Sequence, residues 1–405
     1  MESVRLVLAL AATHGWNVHH MDVKSAFLNG ELKEEVLVKQ PLGFIVTAQE
    51  HKVLRLRKAL YGLRQAPRAW NIKLDESLTR LRFARCETEH ALYTRWAKRG
   101  QLVVGVYVDD LVVTGASEQD VNASKQEMKK LFRLSNLGLL TYYLGIEVEK
   151  GTDSITLYQS AYAQKLLERS GMAGCRANKT PMEEKIKLSK ESSAAKVDAT
   201  NYRSIVGGPR YLVHTRPDLA FAVGFVSRFM EDPHEDHLTA VKHLLRYVAG
   251  TMDYGIVYPR HGGGKVELTG YSDSDMGGDL DGRKSTSGLI FFLDGCPISW
   301  QSQKRRLLQE ITGEDHRAPV LRVNNQSAIE LAKNLVLHDR SKHIDIWFHF
   351  IRDCVNGGRI ILGHVGTSQQ LADILTKPLG QKRLVQLMVK IGFEEIKHEG
   401  QASAC

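Results

Sequence analysis

An α+β fold follows from three features of this 405-residue sequence. Helical periodicity over Val4 to His14, Ala69 to Arg82 and Gln119 to Phe132 alternates with short β-branched runs in the first 150 residues. From Ile155 to about Pro259 the pattern turns more helical, with candidate helices at Ser160 to Ser170, Asp218 to Phe229 and His237 to Ala249. From Lys265 to about Gly392 it opens with strand-turn-strand signals and closes with helices. The predicted organisation is a first domain over 1–150, a second over 151–260 and a third over 265–395. A surface linker is expected near 183–198, because Glu183 to Asp198 is rich in Lys, Glu and Ser and lacks aromatic residues. Gly262-Gly263-Gly264 marks the last boundary, since three successive glycines lose too much backbone entropy to sit inside an element. No internal repeat or long low-complexity tract is apparent.

Composition sets the class. Hydrophobic residues make up 43% and charged residues 25%, the balance of a soluble globular chain with sizeable cores. The formal net charge of +9 favours a polyanion as partner without separating DNA from RNA, and weighs equally with mere solubility. The five cysteines are scattered, with no CxxC pair and no histidine at zinc spacing, so reduced intracellular thiols are expected. Arg5 followed by Leu6 to Ala12 has the outline of a signal peptide, but the run is short and fits the apolar side of a helix capped near Ser3. No stretch is long enough to span a bilayer, so an intracellular protein, neither secreted nor membrane-bound, is predicted.

The chemistry is concentrated in Tyr107-Val108-Asp109-Asp110. Val103 to Val106 leads in and Leu111 to Thr114 leads out, which reads as a hairpin with two adjacent carboxylates at its turn. Two negative charges side by side repel, and a divalent cation shared between them removes the repulsion; hard oxygen ligands suit Mg²⁺. A solvated Asp-Asp turn is the plainer alternative. A third carboxylate, Asp22, sits in the short strand Asn17 to Val23. If the two strands lie side by side, Asp22 and Asp109 can hold a pair of cations for in-line phosphoryl transfer.

Three long motifs occur in order: Asp22-Val23-Lys24-Ser25-Ala26-Phe27-Leu28-Asn29-Gly30, then Leu60-Tyr61-Gly62-Leu63-Arg64-Gln65-Ala66-Pro67-Arg68-Ala69-Trp70, then Tyr107-Val108-Asp109-Asp110. Together they resemble the reverse transcriptase of copia-type LTR retrotransposons, and the resemblance continues to Lys377 and beyond. It implies a right-hand polymerase palm without complete fingers in 1–150, a helical thumb and connection in 151–260, and an incomplete ribonuclease H-like α/β domain in 265–395. It assigns Asp22 and Asp109 as ligands of two Mg²⁺ ions, with Mn²⁺ as the substitute, and Asp110 as a third catalytic carboxylate. One cation would lower the pKa of the primer 3′-hydroxyl and the other would neutralise the triphosphate. The expected partners are an RNA template, a DNA primer, their RNA–DNA hybrid and deoxynucleoside triphosphates, in the cytoplasm within a virus-like particle or in the nucleus.

The same resemblance assigns nucleotide and template contacts to Phe27, Gln65, Arg68 and Tyr107. Phe27 matches the bulky residue that packs under the incoming sugar and rejects a 2′-hydroxyl; a core phenylalanine is its plain alternative. Gln65 offers donor and acceptor, Arg68 offers phosphate contacts, and Pro67 stiffens the approach. Tyr142-Tyr143-Leu144-Gly145-Ile146 resembles the primer-gripping turn, centred on Leu144 and Gly145. About twenty residues precede Asp22, and they read as a helix entering the palm. The family's basic fingers, which clamp the triphosphate, are expected to be missing, with a loss of several kcal/mol in order of magnitude per cationic contact.

In the last third, Gly270-Tyr271-Ser272-Asp273-Ser274-Asp275 with Gly282 to Gly288 resembles the opening of the retroelement ribonuclease H domain, and Leu371-Ala372-Asp373-Ile374-Leu375-Thr376-Lys377 its close. Asp273 and Asp373 match the first and last carboxylates of that site. Ser341 to Asp345 and the segment through His349 fit the late helical region, with no role assigned to His343 or His349. Two departures are plain. Asn324 stands where an aspartate is expected, and Ser299 to Lys304 runs almost directly into Arg305 to Glu310, so that a strand and the glutamate-bearing helix are missing. Glu310 and Glu314 match the helix beyond that gap and do not replace the lost glutamate. An inactive, marginally folded ribonuclease H domain is expected. A non-catalytic nucleic-acid-binding remnant is the second reading. A third, an unrelated metal-dependent nuclease or phosphatase, is hard to reconcile with Leu60 to Trp70.

Overall fold

The computed structural model describes residues 1–260, 266–274, 280–281, 286–300, 320–326, 329, 355, 357–358 and 360–396. The chain is α+β and divides into two compact units, one built on Trp16–Leu140 and the other on Met1–Gly15 with the described residues from Thr141 onward. Among the described residues, no helix is long and apolar enough to cross a membrane.

Helix α1 (Glu2–His14) opens the chain. The Trp16–Leu140 unit then contains β1 (Val18–Val23), a ribbon of β2 (Leu37–Lys39) and β3 (Val53–Arg55), helix α2 (Ala66–Arg80), β4 (Ala84–Arg85), β5 (Leu92–Ala97), β6 (Gly100–Tyr107), β7 (Asp110–Gly115), helix α3 (Glu118–Lys129) and β8 (Leu134–Leu139). Six of these strands form one sheet in the spatial order β4-β5-β6-β7-β1-β8. Alternation along the strands places Met21, Val23, Leu102, Val104, Leu111 and Val113 in one core. Trp70, Leu74 and Leu78 of α2, spaced four apart, and Val121 and Met128 of α3 close that core. The period of two then sends His20 and Asp22 of β1, and Asp110 of β7, to the opposite face.

Helix α2 begins three residues earlier than its periodicity suggested, because Pro67 falls in the first turn, where its missing N–H costs nothing. Helix α3 is capped by the Ser117 hydroxyl, which accepts from the Asp120 amide at 3.4 Å. Gly30 ends the short 3₁₀ turn Ala26–Asn29 against α2, and a Cβ there would lie 2.7 Å from the Ala69 carbonyl carbon and the Trp70 nitrogen. That close approach fixes the turn carrying Phe27 to the helix that carries Arg68.

In the other unit, α1 differs from the sequence expectation of a helix entering the palm. It clusters with the later residues because its one buried cation is bonded there: Arg5 Nε donates to the Ile298 carbonyl at 2.8 Å and Nη1 to the His214 carbonyl at 2.6 Å. The guanidinium also lies 3.9 Å from the Trp300 ring centroid. Leu6 to Ala12 are all buried, as a helix apolar on every side must be. A five-stranded sheet orders β18 (Phe393–Glu395), β12 (Tyr254–Pro259), β11 (Ser154–Tyr158), β10 (Ile146–Lys150) and β9 (Tyr142–Tyr143). Helices α4 (Ser160–Arg169), α5 (Ala199–Leu212), α6 (Ala220–Val226) and α7 (Glu235–Ala249) belong to the same unit.

Residues 183–198 carry no helix or strand, and Asp198 ends them by capping α5, its Oδ1 accepting from the Thr200 amide at 2.8 Å. The single helix expected over Asp218 to Phe229 is instead α6 flanked by 3₁₀ turns at Pro217–Leu219 and Ser227–Phe229. Pro217 starts the first turn, and the Ser227 hydroxyl donates back to the Val223 carbonyl at 2.6 Å, loosening the last. A second five-stranded sheet orders β15 (Cys296–Ser299), β14 (Ser287–Leu293), β13 (Leu268–Ser274), β16 (Val320–Val323) and β17 (Ile361–His364). Its first three strands are antiparallel, while β13, β16 and β17 are parallel. The Gly262 to Gly264 boundary lies outside the described residues.

A buried ion pair joins these helices. Arg216 grips Asp218 through two bonds, Nε to Oδ1 at 3.0 Å and Nη2 to Oδ2 at 2.8 Å, and also donates to the Thr251 carbonyl at 2.8 Å and its hydroxyl at 2.7 Å. Tyr247 donates to Asp218 Oδ2 at 2.8 Å. Because these partners leave the guanidinium no water, removing the carboxylate strands a buried cation. Asp218→Ala is expected to cost about 3–5 kcal/mol of stability, measured by urea unfolding of the full chain; a change under about 1 kcal/mol would show the pair to be incidental.

Candidate active site

The Tyr107–Asp110 hairpin is as tight as a hairpin can be. Tyr107 and Asp110 are Cα partners, which leaves Val108 and Asp109 as its two turn residues. Val108 has φ of 54°, a left-handed conformation at the first central position that normally calls for glycine. Its carbonyl accepts the Trp70 indole N–H at 2.5 Å, so the core helix α2 holds the strained turn in place.

Strand pairing brings the first carboxylate to the other two. Asp22 and Asp110 are Cα partners in the antiparallel β1–β7 ladder, and the Val23 amide donates to the Asp109 carbonyl at 2.8 Å. All three acidic side chains therefore emerge at one end of the sheet. Two basic side chains share that end. Lys24 Nζ lies 2.6 Å from Asp22 Oδ2, and His20 Nε2 lies 2.8 Å from Asp110 Oδ1. Sequence reasoning did not find this role for His20, although the strand period places it on the face of Asp22. Among the described residues, no three His, Cys, Asp and Glu side chains are gathered closely enough to hold an ion by themselves.

Behind the sheet, His19 points the other way. Lys125, buried, lies 3.1 Å from His19 Nδ1, and Glu118 lies 2.8 Å from Nε2. Burial pushes the Lys125 ammonium below its ordinary range, against the raising effect of the Glu118 charge.

Phe27 is half-buried, its ring 4.7 Å from that of Tyr61 and packed against the main core. Gln65 is the N-cap of α2, Arg68 is exposed in its first turn, and Tyr107 is exposed beside the hairpin tip. These residues share the Trp16–Leu140 unit with the three aspartates. Leu144 and Gly145 belong to the other unit, where they are the two turn residues between β9 and β10, with φ of 49° and 76°. The Tyr211 hydroxyl donates to the Leu144 carbonyl and fixes that turn.

The second carboxylate pair is enclosed by donors. Asp273 Oδ1 accepts from Asn324 Nδ2 at 3.1 Å, and Oδ2 accepts from the Thr376 hydroxyl at 2.6 Å and from Lys377 Nζ at 3.4 Å. Lys377 Nζ also lies 2.7 Å from Asp373 Oδ1, and Arg383 Nη2 lies 3.0 Å from Asp373 Oδ2. Burial alone would raise the Asp273 carboxyl; the Thr376 hydrogen bond, the Lys377 charge and the Asn324 amide outweigh it and hold the group below the usual carboxylate range. Burial would lower Lys377, and the Asp373 hydrogen bond with both carboxylate charges raises it instead. Asp275, Gly282 to Ser285, Glu310, Glu314, His343 and His349 lie outside the described residues.

The support for the first turn is testable. Val108→Gly is expected to stabilise the chain by about 0.5–1 kcal/mol, since relief of a left-handed β-branched residue exceeds the entropy lost with glycine. Trp70→Phe is expected to destabilise it by about 1–2 kcal/mol. Denaturant midpoints measure both; a Val108→Gly variant as unstable as an ordinary core Val→Gly change would remove the strain argument.

The sequence matches the family model for reverse transcriptase (RNA-dependent DNA polymerase) over residues 1–184. It is 37% identical to the retrovirus-related Pol polyprotein from transposon RE1 of Arabidopsis thaliana, over 97% of this chain and 28% of that protein. It is 36% identical to the corresponding polyprotein from transposon TNT 1-94 of Nicotiana tabacum, over 93% of this chain and 31% of that protein. A putative transposon Ty5-1 protein of Saccharomyces cerevisiae is 35% identical over 70% of this chain and 92% of its own length. The chain thus spans less than a third of the plant polyproteins it matches. Motifs, strand pairing and relatives agree, and the chain belongs to the reverse transcriptase family of copia-type retrotransposon Pol polyproteins.

Proposed function

We propose that the Trp16–Leu140 unit is a polymerase palm for RNA-directed nucleotidyl transfer, with Asp22 and Asp109 as metal ligands and Asp110 as their neighbour. The observation that carries this reading is the pairing of Asp22 with Asp110 across β1 and β7. The donor set fits hard divalent cations: three carboxylates at one sheet end, with Asp22 Oδ2 balanced by the half-exposed ammonium of Lys24 alone. Mg²⁺ is commonly bound by one or two carboxylates, with water and substrate phosphate completing its shell, so a closed protein cage is not required. Bound there, Mg²⁺ or Mn²⁺ would supply charge neutralisation for phosphoryl transfer.

The chain's own groups would do the rest. Lys24 is half exposed and can swing from Asp22 toward incoming phosphate, while His20 keeps the Asp110 carboxylate oriented. Phe27, fixed by Tyr61 and the Gly30 contact with α2, would close the space beneath a sugar 2′-hydroxyl. Gln65 and Arg68 would meet template and phosphate, Tyr107 the nucleotide, and Leu144 and Gly145 the primer end. The substrates in this reading are an RNA template, a DNA primer and deoxynucleoside triphosphates, handled inside the cell.

The later residues we read as thumb and connection followed by a ribonuclease H-like sheet, on the strength of the β15-β14-β13-β16-β17 order with Asp273 on its central strand. We propose that this site is inactive, because Asn324 replaces a carboxylate and Asp273 and Asp373 are already engaged. The second reading, a nucleic-acid-binding remnant without catalysis, draws on the +9 charge and on the Lys24 ammonium and His20 imidazole set against Asp22 and Asp110.

Primer extension on an RNA template with Mg²⁺ separates the two. Polymerase function predicts incorporation that falls on the order of 100-fold or more in Asp109→Asn, and equal incorporation by variant and unaltered chain rejects it. The remnant reading predicts no incorporation and template-primer binding that weakens steeply with salt. For the ribonuclease H site, no cleavage of RNA in a hybrid is expected; cleavage that Asp273→Asn abolishes contradicts the proposal.

A further inference from the structure

A cation already sits between Asp273 and Asp373. We infer that Lys377 serves as the resident counter-ion of this pair, closing it to divalent metal and turning a carboxylate pair into an internal salt clasp. Three observations support this inference independently of the polymerase reading.

The first is position. The Lys377 ammonium is within 3.4 Å of one carboxylate and 2.7 Å of the other, which is where an ion shared by the two would have to bind. The second is charge. With Arg383 on the far oxygen of Asp373, two carboxylates face two cations among the described residues, so this pair offers an approaching dication no net negative charge and sets a fixed ammonium beside it. The third is saturation. Asn324 and Thr376 complete the set, so that each of the four carboxylate oxygens has a basic or hydrogen-bonding group against it. Both aspartates are buried, with side-chain exposures of 5% and 4%, so water does not compete for these lone pairs.

The clasp has a structural consequence. It ties the 3₁₀ segment Leu371–Leu375 to strand β13, alongside a bond from Gln370 Nε2 to the Ser272 carbonyl at 2.8 Å. At Gly288 of β14, where an added Cβ would stand 2.7 Å from Leu375 Cβ, the same segment packs directly on the sheet. Asp373 and Lys377 are four residues apart, and Thr376 lies between them, so one short run supplies a carboxylate, a hydroxyl and the counter-ion.

Bound Mn²⁺, counted by electron paramagnetic resonance on the full chain, tests the inference. Asp22→Asn with Asp109→Asn in every sample silences the other carboxylate site. The silenced chain should bind no ion that depends on Asp273. Adding Lys377→Gln should gain a single ion at millimolar Mn²⁺, which a further Asp273→Asn removes, whereas Lys377→Arg should gain none. An Asp273-dependent ion in the chain that keeps Lys377, or no gain on Lys377→Gln, overturns the inference. If Lys377→Gln unfolds without metal, Mn²⁺ should restore a cooperative thermal transition, and failure to restore it counts equally against the clasp.

Discussion

The pairing register of β1 on β7 is the constraint on which the rest of the structure depends. It sets Asp22 opposite Asp110 and His20 opposite Val112, and it is locked by apolar residues on the other face. Met21, Val23, Leu111 and Val113 are all buried against α2 and α3. A one-residue slip of β1 would turn Met21 and Val23 out of the core and Asp22 into it, so hydrophobic burial, rather than any attraction among carboxylates, brings like charges together. The repulsion that results is offset locally by the Lys24 ammonium, while the His20 ring lies against Asp110. The hairpin tip adds a second constraint, because the left-handed Val108 is held through its carbonyl by a tryptophan of the same core.

The chain contains two carboxylate sites with opposite electrostatic character. Near Asp22 the balancing lysine is half exposed, and its ammonium is in reach of solvent. Near Asp273 the balancing groups are built into the fold, with Lys377 bridging, Arg383 beyond it, and Thr376 fully enclosed. The first arrangement leaves room for an exogenous cation and the second has filled it. The amide at Asn324 fits the second, since it donates to Asp273 where a carboxylate would have repelled it.

Much of this was legible in the sequence, for reasons that differ by element. The Tyr107–Asp110 hairpin was readable because β-branched residues flank two acids, and the six-residue strand around Asp22 because its alternation is short and clear. Helix boundaries were readable to within about three residues wherever periodicity, proline or a cap agreed, as at α4 and α7. Placement of α1 was not readable. Its sequence is apolar on every face, so periodicity gives no direction, and its partner is chosen by Arg5 reaching Ile298 and Trp300 nearly three hundred residues away. The Arg216–Asp218 pair and the Lys377 bridge were equally hidden, because a local spacing of two or four says nothing about burial. The bond from Asn324 to Asp273 was hidden too, because it depends on strand order.

The central claim is that Asp22 and Asp109 act as one metal-binding unit. Mn²⁺ affinity across a double-mutant cycle of Asp22→Asn and Asp109→Asn measures this directly. Shared ligation predicts that either change removes most of the binding and that the pair together loses little more than either alone. Independent, additive losses, or affinity untouched by one of the two changes, would contradict a shared site.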